Sequence, residues 1–169
     1  MARRFRGSET FKVDAKGRVS IPAAFRRVIE ASDPDWRDGL RPNIIIVYGG
    51  DRQQWLEVYT MRAIEEIDEQ IELMQRGSPE RLMLEERMYG QSVETQIDDD
   101  GRLVLPQRLR EKIGLTSEAF FISAGDYFQI WKPDTYDQKS GARARRMADQ
   151  YPEDFDPRSL LPPLSRGAA

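Results

Sequence analysis

Residues 13–30 read VDAKGRVSIPAAFRRVIE, and residues 97–114, eighty-four positions later, read IDDDGRLVLPQRLREKIG. Aligned without a gap, they share Asp14/Asp98, Gly17/Gly101, Arg18/Arg102, Pro22/Pro106 and Arg26/Arg110. Apolar and polar residues alternate on both sides of each turn. Phe11 and Val13 precede DAKG, and Val19 and Ile21 follow it; Val93, Thr95 and Ile97 precede DDDG, and Leu103 and Leu105 follow it. Such alternation marks short half-buried strands, so each copy is expected to fold as a β-hairpin. Pro22 and Pro106 suit the first turn of a helix, where a missing amide hydrogen costs nothing, and Gly114 suits the end of the second helix.

Each copy continues into a further apolar pair of strands, IIIVYGGDRQQWLEVYTM (44–61) and AFFISAGDYFQIWKPDTY (119–136), both broken at a Gly-Asp. Hairpin, short helix, hairpin is therefore expected twice, the first copy with a longer surface loop at 31–43. Ile64, Ile67, Ile71 and Met74 lie at helical spacing, Ser78-Pro79 reads as a cap and first-turn proline, and 134–150 reads as a last helix. From Pro152 the chain has four prolines and no periodicity, which predicts a disordered or extended tail. A unit of about fifty residues buries too little apolar surface to fold alone, whereas two packed face to face complete one core.

Composition narrows the chemistry. The 169 residues contain no Cys and no His, which removes thiol nucleophiles, disulfides, imidazole zinc sites and His-based triads. No apolar run is long enough to span a bilayer, and the N-terminal arginines precede no apolar export segment, so a cytoplasmic protein is expected. The net charge is −3, but residues 1–30 hold eight basic and three acidic residues, a local +5 against −8 elsewhere. Since charges are screened over about 8 Å at physiological salt, this asymmetry matters more than the total. It suggests either a basic working surface or a solvated arm.

In Asp-x-x-Gly-Arg the carboxylate can accept backbone amides across a tight turn, and the glycine supplies a positive φ. Neither requirement explains Arg18 or Arg102. Each arginine either pairs with its own aspartate or reaches outward as a donor to phosphate or guanine. Arg3, Arg4, Arg6, Lys12, Lys16, Arg26 and Arg27 are expected around the first turn, whereas the second reads Asp98-Asp99-Asp100, which repels phosphate.

FRGSETFKVDAKGRVSIPAAFR and YGQSVETQIDDDGRLVLPQRLREKIGL resemble the two signatures of the MraZ family, bacterial regulators with two SpoVT/AbrB-like domains in tandem. The resemblance covers about residues 5–150. It implies a mainly β fold with flanking α-helices, in which two AbrB-like hairpin-helix-hairpin repeats form an intramolecular pseudo-dimeric swapped-hairpin barrel. It places an N-terminal domain at 5–60, inter-repeat helices at 61–90, a C-terminal domain at 91–135, a helix at 136–150 and the tail at 151–169. It also implies a repressor that binds direct repeats in double-stranded promoter DNA upstream of its own gene, regulates the division and cell-wall gene cluster, works in the nucleoid and assembles as a ring homo-oligomer. Carried across, Arg18 falls on the DNA-contacting arginine, with Asp14, Lys16 and Gly17 in its motif and Arg3, Arg4, Arg6 and Lys12 nearby. Arg102, Asp98 and Gly101 form the second, weaker copy. The family uses no cofactor, metal, small-molecule substrate or membrane. Asp100, the long 31–43 loop and Thr60 depart from its usual pattern.

Three other readings compete. Asp98, Asp99 and Asp100 could ligate a hard cation in phosphoryl chemistry, but no base or phosphate loop accompanies them, so no enzyme is expected. An AbrB-like antitoxin would wrap a toxin with its tail, and a purely structural oligomer would leave no footprint on DNA.

Overall fold

The computed structural model describes residues 3–167. Strands β1 (Ser8–Lys12) and β2 (Arg18–Ser20) lead into α1 (Ala23–Ala31), then β3 (Asn43–Val47), β4 (Trp55–Thr60), α2 (Met61–Glu72), α3 (Pro79–Glu85) and a π-helical turn, Glu86–Gly90. The second repeat supplies β5 (Ser92–Gln96), β6 (Arg102–Val104), α4 (Gln107–Ile113), β7 (Glu118–Ser123), β8 (Tyr127–Trp131) and α5 (Pro133–Ala148). A short 3-10 turn, Pro157–Leu160, lies in the exposed C-terminal stretch.

The strands stand where the alternation puts them, but their partners differ from the expected hairpins. β1 does not pair with β2, nor β5 with β6. Instead β1 pairs with β7, β5 with β3, and β2 with β6, all antiparallel, so each pairing joins the two repeats. The loop explains this: Asp14 and Arg18 close DAKG with one backbone bond at 3.1 Å, after which β2 leaves the plane of β1. The later hairpins, β3–β4 and β7–β8, form as expected.

The result is an open six-stranded sheet, β1-β7-β8-β4-β3-β5, with a separate two-stranded ribbon, β2-β6. It does not close into the expected barrel, because β1 and β5 remain as edges. Exchanging the repeats reverses the sheet order without changing it. Val19 pairs with Leu103 at the centre of the ribbon, and Glu57 pairs with Gln129 at the centre of β4–β8. An approximate two-fold axis thus passes through both places.

One core serves both repeats. Val19 and Leu103 are fully buried beneath the ribbon, beside Phe25 and Ile29 of α1, Leu109 and Ile113 of α4, and Leu56, Val58, Phe128 and Ile130 from the sheet. Truncating Leu103 to Ala there costs about 2–5 kcal/mol. Pro22 and Pro106 occupy the position just before their helices rather than the first turn, and their carbonyls accept the first helical bonds.

On the opposite sheet face Val47 and Tyr59 pack against Ala63, Ile64 and Ile71 of α2 and Met88 of the π-helical turn. Thr60 caps α2 by accepting from the Ala63 amide at 3.2 Å. The 31–43 segment is more anchored than a surface loop: the buried Asp33 carboxylate accepts from the amides of Asp35 and Asn43 and from the Asn43 side chain.

Two features mark the axis on this outer face. Trp55 stacks on Trp131 and Tyr59 on Tyr127, with ring centroids 4.9 and 4.8 Å apart. Between them the buried Glu57 carboxylate accepts from Trp55 Nε1 (3.1 Å), Tyr59 Oη (3.2 Å) and Arg87 Nη2 (3.2 Å). At the matching position, Gln129 Oε1 accepts from Trp131 Nε1 at 2.8 Å.

Candidate nucleic-acid interface

The ribbon decides where the repeated motifs point. Because Val19 and Leu103 face the core, their neighbours Arg18, Ser20, Arg102 and Val104 face solvent. Arg18 opposes Val104 and Arg102 opposes Ser20, so the two motif arginines are diagonal neighbours, about 7–8 Å apart at the backbone. Sequence reading treats the corners as separate sites; strand exchange joins them. Lys12, Asp14, Arg18 and Arg102 line one open recess with Phe11, Ser20 and Glu118.

Each turn is built alike. Asp14 Oδ1 accepts the amides of Lys16 (3.0 Å) and Arg18 (2.9 Å), and Asp98 Oδ1 accepts those of Asp100 (2.9 Å) and Arg102 (2.8 Å). Both alternatives for the arginine meet here. Arg18 Nε donates to Asp14 Oδ2, which aligns the side chain, while its two Nη groups have no ion-pair partner among the described residues. Arg102 is held more fully: Nε donates to Asp98 at 3.0 Å and Nη2 to Asp100 at 3.0 Å. Arg41 occupies Asp99 through two bonds of 2.8 and 2.9 Å.

These contacts set the charge state. The Arg18 amide, aided by its guanidinium and the Lys16 amide, holds the Asp14 carboxyl below its ordinary range. Partial burial works to raise Asp98, but the amide and guanidinium of Arg102 overcome it and lower the group. The Arg41 guanidinium lowers Asp99.

Gly17 and Gly101 have φ of 82° and 72°, and each is buried against the other repeat. Leu105 donates its amide to Gly17 O at 2.8 Å, and Ile21 donates to Gly101 O at 3.0 Å. A Cβ on Gly17 would lie 2.3 Å from Leu105 O and 2.7 Å from Arg110 Nε; one on Gly101 would meet Arg26 Nη1 at 2.4 Å. The shared Arg26/Arg110 pair therefore clamps the opposite turn rather than extending the basic surface. Arg110 Nε donates to Leu105 O at 3.0 Å, whereas the buried Arg26 Nε has no protein partner. Nothing in the local sequence shows this clamp, because its two halves are joined only by strand exchange; the repeated arginine is the signal that could have found it.

The basic N-terminal segment divides. Lys12, Lys16 and Arg18 lie at the ribbon, where Asp14, Asp98, Asp100 and Glu118 offset them and Arg102. Arg3, Arg4, Arg6 and Arg27 instead line a second recess with Ala24, Phe25 and Val28. The isolated Phe5–Gly125 pairing holds that arm beside the β7–β8 turn, at the other end of β1. None of these four arginines forms an ion pair among the described residues, and Arg3 and Arg4 share a further recess with Arg62, Glu66 and Asp126, so the basic residues form two patches, one at each end of β1.

A family profile described as "MraZ protein, putative antitoxin-like" matches residues 88–151. The chain is 58% identical over 161 residues to Transcriptional regulator MraZ of Ruegeria pomeroyi, covering 95% of this chain and 96% of the relative. The chain belongs to the MraZ family. Transcriptional regulator MraZ of Cereibacter sphaeroides is 48% identical over 143 residues, covering 80% of this chain and 84% of the relative. A protein of the same name from Rickettsia rickettsii is 32% identical over 138 residues, 82% of this chain and 87% of its own. Among the described residues no helix is long and apolar enough to cross a membrane, and no cluster of His, Cys, Asp or Glu is arranged to hold a metal ion.

Proposed function

We propose that this MraZ-family chain is a sequence-specific DNA-binding transcriptional regulator that reads base edges with Arg18. The observation that carries this is the ribbon: arginines from both repeats project from one solvent face while its other face is locked into the core. A donor presented from so rigid a support loses little freedom on binding. With Nε fixed by Asp14, the Nη groups of Arg18 remain for a guanine or a phosphate. Arg102, held by two aspartates, contributes less. Arg3, Arg4 and Arg6, with Arg27, supply positive charge for the phosphate backbone, and Lys12 and Lys16 flank the reading corner.

The same reading takes residues 5–60 and 91–135 as tandem AbrB-like domains and their strand exchange as a swapped-hairpin pseudo-dimer. The protein acts in the nucleoid on direct repeats upstream of its own gene, in the division and cell-wall cluster, as a repressor. It works as a ring homo-oligomer, because one ribbon covers too little groove to select a promoter from roughly 10⁶ competing sites. Neighbouring subunits on successive repeats benefit from high effective concentration.

The test is footprinting on DNA upstream of the gene with wild type and Arg18→Ala. The variant is expected to fold and to lose specific protection, at about 1–3 kcal/mol per engaged subunit. Wild-type protection by the variant would refute the assignment. The antitoxin-like wording of the family profile favours one further reading, capture of a toxin by the exposed stretch after α5. Co-purification of a small toxin with the full chain, lost on removing residues 152–169, would support it.

A further inference from the structure

We propose that copies of this chain join head to tail by seating the α2–α3 hairpin of one in the recess beneath α5 of the next. The inference rests on the oligomer reading above and specifies its contact surface. The hairpin is acidic and has exposed apolar side chains. Residues 61–90 carry eight acidic and four basic side chains, a net −4, and Leu73, Leu82 and Met83 are 87%, 55% and 69% exposed. Glu65, Glu69 and Leu73 follow at intervals of four, so they form one stripe on α2 and its C-terminal end.

The receiving surface is its chemical opposite. α5 is sixteen residues long with no buried residue, and it carries four basic against two acidic side chains. Lys139, Arg143 and Met147 form a stripe at the same spacing. Lys139, Ser140 and Arg143 roof a recess floored by Trp55, Gln129 and Trp131. Its volume is about 210 Å³, with indole walls and cationic rims. An isolated leucine flanked by glutamates fits that chemistry: Leu73 enters against the indoles while Glu65 and Glu69 meet Lys139 and Arg143.

Charge also fixes the symmetry. An isologous contact through either surface would set −4 against −4 or basic helix against basic helix, whereas a heterologous contact pairs opposite signs. Heterologous contacts form rings when the rotation closes. Each subunit then uses both surfaces, one toward each neighbour.

The test is light scattering of the full chain at fixed micromolar concentration, with circular dichroism as a check on folding. Leu73→Asp, Lys139→Glu/Arg143→Glu and Glu65→Arg/Glu69→Arg change only exposed side chains and are each expected to fall to a smaller species. Mixing the two charge-reversed proteins restores both contacts in alternation, so the mixture is expected to regain the wild-type mass. An oligomeric wild type whose mass survives both reversals would overturn this interface and leave the ring reading intact. A monomeric wild type would overturn both.

Discussion

Replacing Gly17 with Ala tests whether the two turns are structural keystones or merely exposed loops. The backbone there has φ 82°, which costs a residue with a Cβ about 1–2 kcal/mol. The new Cβ would also lie 2.3 Å from Leu105 O, a backbone atom that cannot rotate away. Relieving that contact separates β2 from the second repeat. It breaks the Leu105 N–Gly17 O bond, the one that crosses between the repeats there, worth about 1 kcal/mol. The total is about 2–3 kcal/mol. Two controls isolate the clash. Gly7 has φ 97° but nothing within 4 Å of its Cβ, so Gly7→Ala is expected to cost about 1–2 kcal/mol from the backbone alone. Gly101→Ala meets mainly the Arg26 side chain, which can shift, and falls between them. Urea unfolding at one fixed protein concentration reads all three as shifts in midpoint at constant slope. If Gly17→Ala lost no more stability than Gly7→Ala, the cross-repeat clamp would be wrong.

Operator binding is expected to weaken steeply with salt despite the net charge of −3, with log affinity falling by about 0.9 per decade for each phosphate neutralised. Arg3→Ala/Arg4→Ala/Arg6→Ala should flatten that slope without changing sequence preference, which titrations at several salt concentrations would show. Arg102→Ala should cost less specific affinity than Arg18→Ala, since two aspartates already hold it; equal losses in a direct binding assay would deny the asymmetry. Asp14 should titrate below 3.8, its unfolded value, when its carboxyl carbon is followed by NMR. Because the folded group is lowered, its contribution to stability is complete above that value and is lost as pH falls through the lowered one; Asp14→Asn removes this acid-side dependence.

Strand positions were readable because alternation reports which side chains are buried, and Val13, Val19, Ile97 and Leu103 all turn inward. Their partners were not, since alternation carries no information about which neighbour lies alongside. DAKG looks like a hairpin turn and closes like one through the Asp14 N–Arg18 O and Gly17 N–Asp14 O bonds, yet its strands then separate. Arg26 was misread for the same reason. As one arginine in a basic segment it suggested phosphate, while its seat against Gly101 exists only after the repeats exchange strands. The turn built by Asp14, Gly17 and Arg18 was legible because its hydrogen bonds are complete within five residues. The division of the basic arm into two patches depends on Phe5 pairing with Gly125, a contact 120 residues long that no local pattern reveals.

The pairing of Glu57 with Gln129 makes the duplication hard to reverse. Two identical copies of the first repeat would set Glu57 against Glu57 in a buried site, where like carboxylates cannot both stay ionised. Two copies of the second would leave a pair of neutral amides and no anion for a guanidinium such as Arg87. Fusion into one chain let the central position take different residues on its two sides, with the acid and its three donors on one flank and the amide on the other. After that divergence, a homodimer of the first repeat alone would have to protonate one of its two facing acids. The asymmetric pair therefore suits a tandem chain better than two copies of its first half.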